Sequence, residues 1–318
     1  MTSPAGTVAV AGPTLKARLR SAWDSDLAWS FRHSKVAMFS FAVFLVCVIG
    51  AVFAPLIAPH NPFDLRTLNL GDASLPPVWQ ERGDPRFLLG TDENGRDVLS
   101  AIMYGARISL LVGLASVAFA IVLGVGLGLL AGYVGGKLDA FIMRVADVQL
   151  SFPAILIALL IDGVARVALP RGEHDRVAVL VLVLAIGLSN WVQYARTVRG
   201  STMVEKSKEY IQAARVIGVS PVGIMWRHLM PNVLGPVLVL ATINIATAIL
   251  TEATLSFLGV GVPATEPSLG TLIRIGNEFL FSGEWWITIF PGLALVVMVL
   301  SINLLGDWLR DALNPRLR

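Results

Sequence analysis

The sequence contains little charge and almost no cysteine. Only 15% of its 318 residues are Asp, Glu, Lys or Arg, whereas soluble domains carry about 25%. This deficit excludes an ordinary soluble domain, and the net charge of +3 gives no indication of a nucleic-acid partner. Cys47 is the only cysteine, so a single chain can form neither a disulfide nor a metal site built from several thiolates.

Motifs for catalysis and metal binding are also absent from the sequence. Asp92, Asn94 and Asp97 have the composition of a calcium loop, but Gly95 stands at the fourth position, whereas an EF-hand needs glycine at the sixth. We therefore expect no metal site. We also expect no enzyme active site, because no Ser/His/Asp cluster is visible and the four histidines are scattered: His33, His60, His174 and His228.

The nearest approach to a nucleotide-binding motif surrounds Lys137. Ala131 stands where a Walker A loop begins with glycine, and Leu138 stands where it ends with Ser or Thr. We expect that this chain does not itself bind ATP by that motif.

Long apolar runs dominate the sequence, and its mean hydropathy is +0.71. Six of these runs are long enough, or nearly long enough, to cross the roughly 30 Å hydrocarbon core of a bilayer as helices. They predict an all-α polytopic membrane protein with six transmembrane helices, at 36–58, 108–131, 141–162, 177–194, 233–257 and 286–305.

The positive charges predict the orientation of these spans. The five lysines lie in the N-terminal tail, in the connection between the second and third spans, and in the hydrophilic segment 196–232: Lys16, Lys35, Lys137, Lys206 and Lys208. An even number of spans puts these segments on one side of the membrane, together with Arg310, Arg316 and Arg318. The positive-inside rule makes that side the cytoplasm, so both termini are predicted to be cytoplasmic.

The predicted spans divide the chain into five parts. We expect a cytoplasmic N-terminal tail, a first transmembrane helix, an extracytoplasmic loop, a five-helix core and a cytoplasmic C-terminal tail, at 1–35, 36–58, 59–107, 108–305 and 306–318. The core includes the polar and basic segment 196–232, which we call the central loop.

The first half of the central loop has the pattern of a short helix. Tyr210, Ala213, Ala214 and Ile217 recur at helical spacing, which predicts a single apolar stripe. Because Ala213 and Ala214 are small, this face is expected to be flat enough for another surface to approach closely.

A tight corner and a second helix are predicted to follow. Gly218 suits the position after a helix end, where the backbone turns left-handed. Ser220 suits an N-cap, and Pro221 suits the first helical position. Pro231 is expected to end this second helix.

The same residues resemble a known family pattern. Gln212-Ala213-Ala214, Gly218 and Pro231 resemble the EAA loop of ABC importer permeases, which reads Glu-Ala-Ala, three residues, Gly, nine residues, Ile-x-Leu-Pro. Gln212 replaces the glutamate of that pattern. The resemblance implies that the central loop couples the permease to an ATPase subunit through Glu209, Tyr210, Gln212, Ala213, Ala214, Arg215, Gly218, Ser220 and Pro221.

Further stretches resemble the dipeptide and oligopeptide branch of these permeases. The longest, LLGTDENGRDVLSAIMYGARISL at 88–110, is similar to the pattern LGTD-x-x-GRD-x-x-SR-x-x-YGAR-x-SL, with Ala101 in place of Arg. The others are Arg144 and Asp147 followed by Phe-Pro, EATLSFLGVG at 252–261, and GDWLRDALNPRLR at 306–318. The resemblance covers nearly the whole chain and points to the C-type subunit of a B/C permease pair.

This resemblance implies a type I ABC importer permease fold in the bacterial cytoplasmic (inner) membrane. It implies a heterodimer with a second permease subunit, two ABC ATPase subunits that bind ATP and Mg²⁺, and an extracytoplasmic solute-binding protein. The chain would then form half of a translocation path for dipeptides or oligopeptides.

Polar and small residues within the spans are further candidates for roles in the path or in packing. Gly124, Gly128 and Gly132 lie four residues apart, which predicts close packing of the second span against a neighbouring helix. Asn244 and Glu252 are candidates for the translocation path, although Glu252 can equally reach water at the membrane edge. Arg144 and Asp147 are spaced to pair on one helix.

Two classes of alternative function remain open from the sequence. Related importers carry nickel, glutathione or opines, so the solute is not fixed by the permease. An ion-coupled secondary transporter or a channel is the alternative of a different class. Such a transporter should show ionisable or broken segments near the midplane of two matching halves, and no convincing internal repeat is visible.

Overall fold

The computed structural model describes residues 26–64, 66, 68–170, 173–263 and 265–313. The predictions for residues 1–25, including Lys16, lie outside the described residues. So do those for Arg316 and Arg318 at the C-terminal end.

The described part of the chain is helical, and its only β-type pairing is an isolated bridge between Thr91 and Asp97. Short 3₁₀ turns and one π-helix, at Ile224–Leu229, accompany the α-helices. The α-helices are α1 Asp26–His33, α2 Lys35–Val52, α3 Ala54–Ile57, α4 Val98–Val134, α5 Gly136–Leu150, α6 Ala154–Ala168, α7 Glu173–Glu205, α8 Glu209–Val216, α9 Pro221–Gly223, α10 Met230–Phe257, α11 Leu269–Phe279 and α12 Trp286–Ala312.

Five helical segments of the described chain are long and apolar enough to cross a membrane. They are α2, α4, α7, the continuous helix from α9 through α10, and α12. The predicted third span at 141–162 is instead a pair of helices, α5 and α6, bent by 93° at their junction. Counting this pair as one broken span gives the six spans that the apolar runs predict.

Pro153 explains the break between α5 and α6. A proline disfavours the helical backbone of the residue before it and has no N–H to donate. The structure places Pro153 at the cap of α6 in an extended conformation, with φ −56° and ψ 134°. The continuous third span was therefore a wrong prediction, and the Phe152-Pro153 step is its physical cause.

The long helices extend beyond the apolar runs that predicted them. α4 begins at Val98 because the Asp97 carboxylate accepts the N–H of Ser100 at 3.0 Å and caps the helix. α7 continues past Tyr194 to Glu205. Hydropathy marks only the part of a helix that suits lipid, whereas backbone hydrogen bonding continues into the polar ends.

The three glycines of α4 pack directly against the backbone of α7. A methyl group added at Gly128 would lie 2.6 Å from the carbonyl oxygen of Ala195, and one at Gly124 would lie 2.6 Å from that of Trp191. Gly132 meets the same helix one turn further on. Without side chains at these positions the two helices approach closely over three turns, which suits association in lipid.

Buried side chains hold the remaining helices against this pair. One cluster joins α4, α7 and α10 and continues into the central loop, through residues that include Leu182, Tyr194, Ile211, Ile224 and Leu255. A second cluster joins α2, α10, α11 and α12, through residues that include Ala51, Ile249, Leu269 and Met298. The central loop is therefore part of the packed structure.

Candidate functional site

The central loop forms two short helices around a left-handed corner. α8 ends before Gly218, which has φ +83°, a conformation that side chains disfavour. The N–H of Val219 returns to the carbonyl of Ala214 at 3.0 Å and closes the helix end. Ser220 then caps α9 by accepting the N–H of Gly223 at 3.2 Å, and Pro221 takes the first helical position.

Pro231 does not end the second helix, contrary to the prediction. The chain passes from α9 through the π-helix into α10, and Pro231 lies in the first turn of α10. The wider π turn lets the N–H of Met230 reach the carbonyl of Met225, and the Asn232 side chain donates to the carbonyl of His228 at 2.7 Å. Proline is tolerated here because its missing donor falls at a point where the hydrogen-bond pattern shifts.

The two alanines of the central loop face opposite sides of α8. Ala214 is only 4% exposed and packs in the core cluster with Ile211, whereas Ala213 is exposed. The predicted stripe is therefore wrong for Ala214, whereas Tyr210, Ala213 and Ile217 are all exposed. The buried stripe is Ile211 and Ala214, because α8 lies with that side against the core.

An exposed apolar surface lies on the other side of the loop. We call it the loop face and define it as Val216, Ile217, Val222 and Trp226. Val216 is 87% and Ile217 78% exposed, and Val222 and Trp226 are also exposed. Exposed apolar side chains this close together in the sequence, before the apolar run 233–257 begins, mark a candidate site of interaction. No motif singled out Val216, Val222 or Trp226, although large apolar residues in a polar segment were a signal that could have done so.

Polar contacts connect the loop helices to the ends of the spans. The Tyr210 hydroxyl donates to the Glu205 carboxylate at 2.8 Å and accepts from the Asn232 amide at 3.0 Å. Desolvation, and then the hydrogen bond to Glu205, raise the pKa of Tyr210. Lys208 pairs with Glu205 at 2.6 Å. Tyr210 thus joins the end of α7 to the start of α10.

Three more central-loop side chains contact neighbouring groups, and a fourth is exposed. Lys206 donates to the carbonyl of Gly132 at 2.6 Å, at the end of α4. The Arg215 guanidinium lies 5.3 Å from the centre of the Tyr133 ring. Gln212 donates to the carbonyl of Ser207 at 3.0 Å. Glu209 is exposed in the first turn of α8.

Ion pairs between helices replace the pair predicted within the third span. Asp147 pairs with Arg196 of α7 at 2.5 Å and not with Arg144, the partner that the spacing predicted. Asp139 pairs with Arg199 of the same helix at 2.5 Å. Both carboxylates therefore join α5 to α7 at the end of the bundle that carries the central loop.

The two candidates for the translocation path are buried inside the chain. Glu252 is 0% exposed, and its carboxylate accepts from Ser109 at 2.8 Å and from Ser256 at 2.7 Å. Asn244 is also buried and lies 3.4 Å from the side-chain oxygen of Gln193. The burial of Glu252 contradicts the interpretation that it reaches water at the membrane edge, whereas a role of Asn244 or Glu252 in the path stays a prediction. Glu252 joins α4 to α10.

A cavity of about 590 Å³ lies at the end of the bundle distal to the central loop, and we call it the distal cavity. One wall is the first part of α4, with Tyr104, Arg107, Ile108 and Leu111. Phe63, Val179 and Glu266 line other sides. No motif-based prediction assigned a function to this cavity, although Arg107 falls within the longest family-like stretch. Among the described residues, no group of three or more His, Cys, Asp or Glu side chains could hold a metal ion.

Two family models match the chain. One, described as "Binding-protein-dependent transport system inner membrane component", matches residues 124–318. The other, described as "N-terminal TM domain of oligopeptide transport permease C", matches residues 21–77.

Curated proteins match along most of the chain. The chain is 39% identical over 290 residues to the di/tripeptide transport system permease protein DppC of Pseudomonas aeruginosa, covering 91% of each protein. It is 41% identical over 289 residues to the dipeptide transport system permease protein DppC of Escherichia coli K12, again covering 91% of each. It is 33% identical over 318 residues to the oligopeptide transport system permease protein OppC of Bacillus subtilis, covering 100% of this chain and 97% of that one.

A solved structure shares the fold. A chain of the MetNI methionine ABC transporter in an inward-facing conformation superposes with a TM-score of 0.53 at 21% identity, covering 67% of this chain and 96% of that one.

Proposed function

The chain belongs to the family of binding-protein-dependent transport system inner membrane components and has the type I ABC importer permease fold, and from this premise we propose that it is the C-type permease subunit of an ATP-driven importer of dipeptides or oligopeptides. It forms half of the translocation path across the bacterial cytoplasmic membrane. Relatives named for di/tripeptide and oligopeptide transport support the peptide as solute over nickel, glutathione or an opine. Membership of this family also removes the ion-coupled secondary transporter from consideration.

The observation that carries the coupling role is the loop face. Its four apolar side chains lie between the apolar runs 177–194 and 233–257 of the sequence, with Val222 and Trp226 at the start of the continuous helix from α9 through α10. The buried Ile211 and Ala214 hold α8 against the core. An exposed apolar surface of this kind marks a site where a partner covers it. We assign that cover to an ATPase subunit, which places the loop face on the cytoplasmic side together with the lysines of the central loop.

The contacts of the central loop explain how movement at the ATPase reaches the spans. Tyr210 connects α7 to α10, and Lys206 and Arg215 connect the loop to the end of α4. A displacement of α8 therefore pulls on three spans at once. Packed interfaces of this kind shift between discrete arrangements rather than deforming continuously.

The remaining partners follow from the same assignment. A second permease subunit supplies the other half of the path, and an extracytoplasmic solute-binding protein delivers the peptide. Two ATPase subunits bind ATP and Mg²⁺ and carry out hydrolysis, while this chain contributes no catalytic residue.

The proposed coupling role can be tested with Ile217→Asp. Since Ile217 is 78% exposed, the variant should fold, insert and pair with the second permease subunit at the wild-type level. It should lose the ATPase subunits on purification, or keep them without stimulation of hydrolysis by loaded binding protein. Ile217→Leu is the matched control and should retain both. Wild-type peptide uptake and stimulated hydrolysis in Ile217→Asp would contradict the assignment.

A further inference from the structure

We propose that the distal cavity binds the two charged termini of a peptide in transit, with Arg107 receiving the carboxylate and Glu266 receiving the ammonium group. This inference rests on the proposed function and deepens it, because it places a recognition site for peptides within the permease itself.

The charges in the distal cavity carry the argument. Arg107 and Glu266 both line the cavity and both are exposed. Within the described part of the chain, neither side chain has a hydrogen-bond or ion-pair partner, and they lie too far apart to pair with each other within 4.0 Å. A single cavity thus presents one unpaired positive and one unpaired negative group. A ligand that satisfies both must carry both charges, separated by a spacer.

Three arginines elsewhere in the chain show how this side chain pairs when a carboxylate is within reach. Arg199 is paired with Asp139, Arg196 with Asp147, and Arg86 with two carboxylates of the long loop before α4. A guanidinium can bind a carboxylate through two parallel hydrogen bonds, and such a contact is stronger than a neutral one. Arg107 therefore has the chemistry to bind a free C-terminus, and Glu266 has the acceptors to bind a free N-terminus.

The walls of the distal cavity suit a ligand with varied side chains. Tyr104, Ile108 and Leu111 follow one another at helical spacing on α4, and the Phe63 ring contacts Tyr104 edge-on at 5.4 Å. Phe63, Ile108, Leu111 and Val179 make most of these walls apolar, and the hydroxyl-bearing side chains of Tyr104 and Thr265 are the uncharged polar residues of the lining. The volume of about 590 Å³ lies in the range of roughly 300–1,000 Å³ that is typical of small-molecule sites. The cavity would recognise a peptide by its two charged termini and would accept different side chains.

Binding to the assembled importer without binding protein or nucleotide tests the site directly. The probes are alanyl-phenylalanine, its C-terminal amide and its N-acetyl derivative, titrated by saturation-transfer NMR against the complete complex in nanodiscs. For the wild type, we expect either modification to weaken binding about tenfold or more, because one charged contact is lost. In Arg107→Gln, alanyl-phenylalanine should bind as weakly as the amide binds the wild type, and amidation should have no further effect.

Glu266→Gln provides the second arm of the same test. In this variant N-acetylation should have no further effect, whereas amidation should still weaken binding about tenfold. The two arms are independent, so a defect in assembly of one variant leaves the other informative. The proposal is overturned if the wild type does not bind alanyl-phenylalanine. It is also overturned if amidation weakens binding to Arg107→Gln as much as binding to the wild type.

Uptake into proteoliposomes separates this inference from the proposed function. With saturating loaded binding protein, Arg107→Gln and Glu266→Gln should import alanyl-phenylalanine about tenfold more slowly while stimulated ATP hydrolysis persists. Arg82→Gln is the control, because Arg82 is exposed and does not line the cavity. Wild-type uptake in both cavity variants would remove the binding site and leave the importer assignment intact. Failure of the wild type to import the peptide would instead remove the proposed function.

Discussion

At the scale of single residues, Ala213 and Ala214 show what local sequence can and cannot reveal. Gly218, Ser220 and Pro221 were predictable because a cap depends on the residue type and on its immediate neighbours. The orientation of α8 depends on which of its faces packs against the core. The face that carries Ile211 does so, because Ile211 lies in the core cluster. Sequence spacing alone could not distinguish the face through Ala213 from the face through Ala214.

The two alanines should respond differently to the same substitution. Ala213→Trp adds bulk on the exposed side of α8, so the permease should assemble normally but lose stimulation of ATP hydrolysis. Ala214→Trp forces a large ring into a position that is 4% exposed, and overpacking of this kind costs about 1–3 kcal/mol or more. We expect a lower yield of assembled complex. Equal yields of the two variants would contradict the burial of Ala214.

Glu252 is expected to stabilise the bundle rather than to contact solute. Its side chain accepts hydrogen bonds from Ser109 and Ser256 in a fully buried position. Glu252→Ala leaves these hydroxyls without an acceptor and should destabilise the complex by about 1–3 kcal/mol in thermal unfolding. Glu252→Gln retains an acceptor and should be milder. If both variants unfold like the wild type yet import no peptide, Glu252 belongs to the path after all.

Asp92 should make the long loop before α4 sensitive to pH. The pKa of Asp92 is raised from 3.8 to about 6, mainly because the carboxyl group is buried. The charge of the neighbouring Glu93 also raises this pKa, whereas hydrogen bonds from the backbone N–H groups of Arg96 and Asn94 and the Arg96 charge lower it. A raised pKa means that the folded loop binds the proton more tightly than the unfolded loop. Its stability therefore falls as pH rises from 3.8 to about 6 and stays low above that.

Limited proteolysis of the purified complex measures this dependence. The free energy of unfolding of the loop should fall by at most about 3 kcal/mol as pH rises across this range. Cleavage in the loop should therefore be faster at neutral pH than at pH ~4, after correction for protease activity. Asp92→Asn keeps an acceptor for the N–H groups of Asn94 and Arg96, which lie at 2.9 and 2.8 Å, and should abolish the dependence. A variant with the wild-type pH profile would contradict the role of Asp92.

At the scale of helices, the apolar runs located every span but not its ends or its continuity. Hydropathy predicted the lipid-crossing parts because burial in lipid selects apolar residues along the whole run. The break at Pro153 and the π turn before Pro231 depend on which hydrogen-bond partners are available to the backbone groups around each proline. The same residue type therefore breaks one helix and is accommodated in another, and only the surrounding hydrogen bonds distinguish the two outcomes.

The packing of α4 on α7 should depend on Gly128 and not on every glycine of the helix. A methyl group at Gly128 would lie 2.6 Å from the Ala195 carbonyl, whereas one at Gly126 would meet nothing within 4 Å. Gly128→Ala should therefore lower thermal stability of the complex by about 1–3 kcal/mol, and Gly126→Ala should leave it nearly unchanged. Equal melting temperatures would show that the helices can separate without cost.

At the scale of the whole molecule, the important contacts join segments that are far apart in the sequence. Ser109 and Glu252 are separated by 143 positions, and the distal cavity combines the first part of α4 with Glu266. Periodicity and motifs describe one segment at a time, so neither could show that Glu252 is buried or that Arg107 and Glu266 share a cavity. The family-like stretches include Arg107, Ser109 and Glu252 but not Glu266, and they did not indicate the contacts.

The distribution of lysine provides the last test, because orientation is a property of the whole chain. Lys35, Lys137, Lys206 and Lys208 are assigned to the cytoplasmic side by the positive-inside rule. A membrane-impermeant amine reagent should therefore leave this chain unlabelled in right-side-out vesicles and label it after permeabilisation. Both lysines have a partner at 2.6 Å, but Lys208 is exposed and Lys206 is half-buried, so Lys208 should react first.

Arg82→Lys supplies the matched positive control. It places an amine on an exposed position of the long loop before α4, at the end distal to the central loop, so this variant should be labelled in right-side-out vesicles. If Lys208 were labelled there instead, the central loop would lie outside the cell, where no ATPase subunit can reach the loop face. The coupling role would then fail together with the orientation, because both depend on the same side of the membrane.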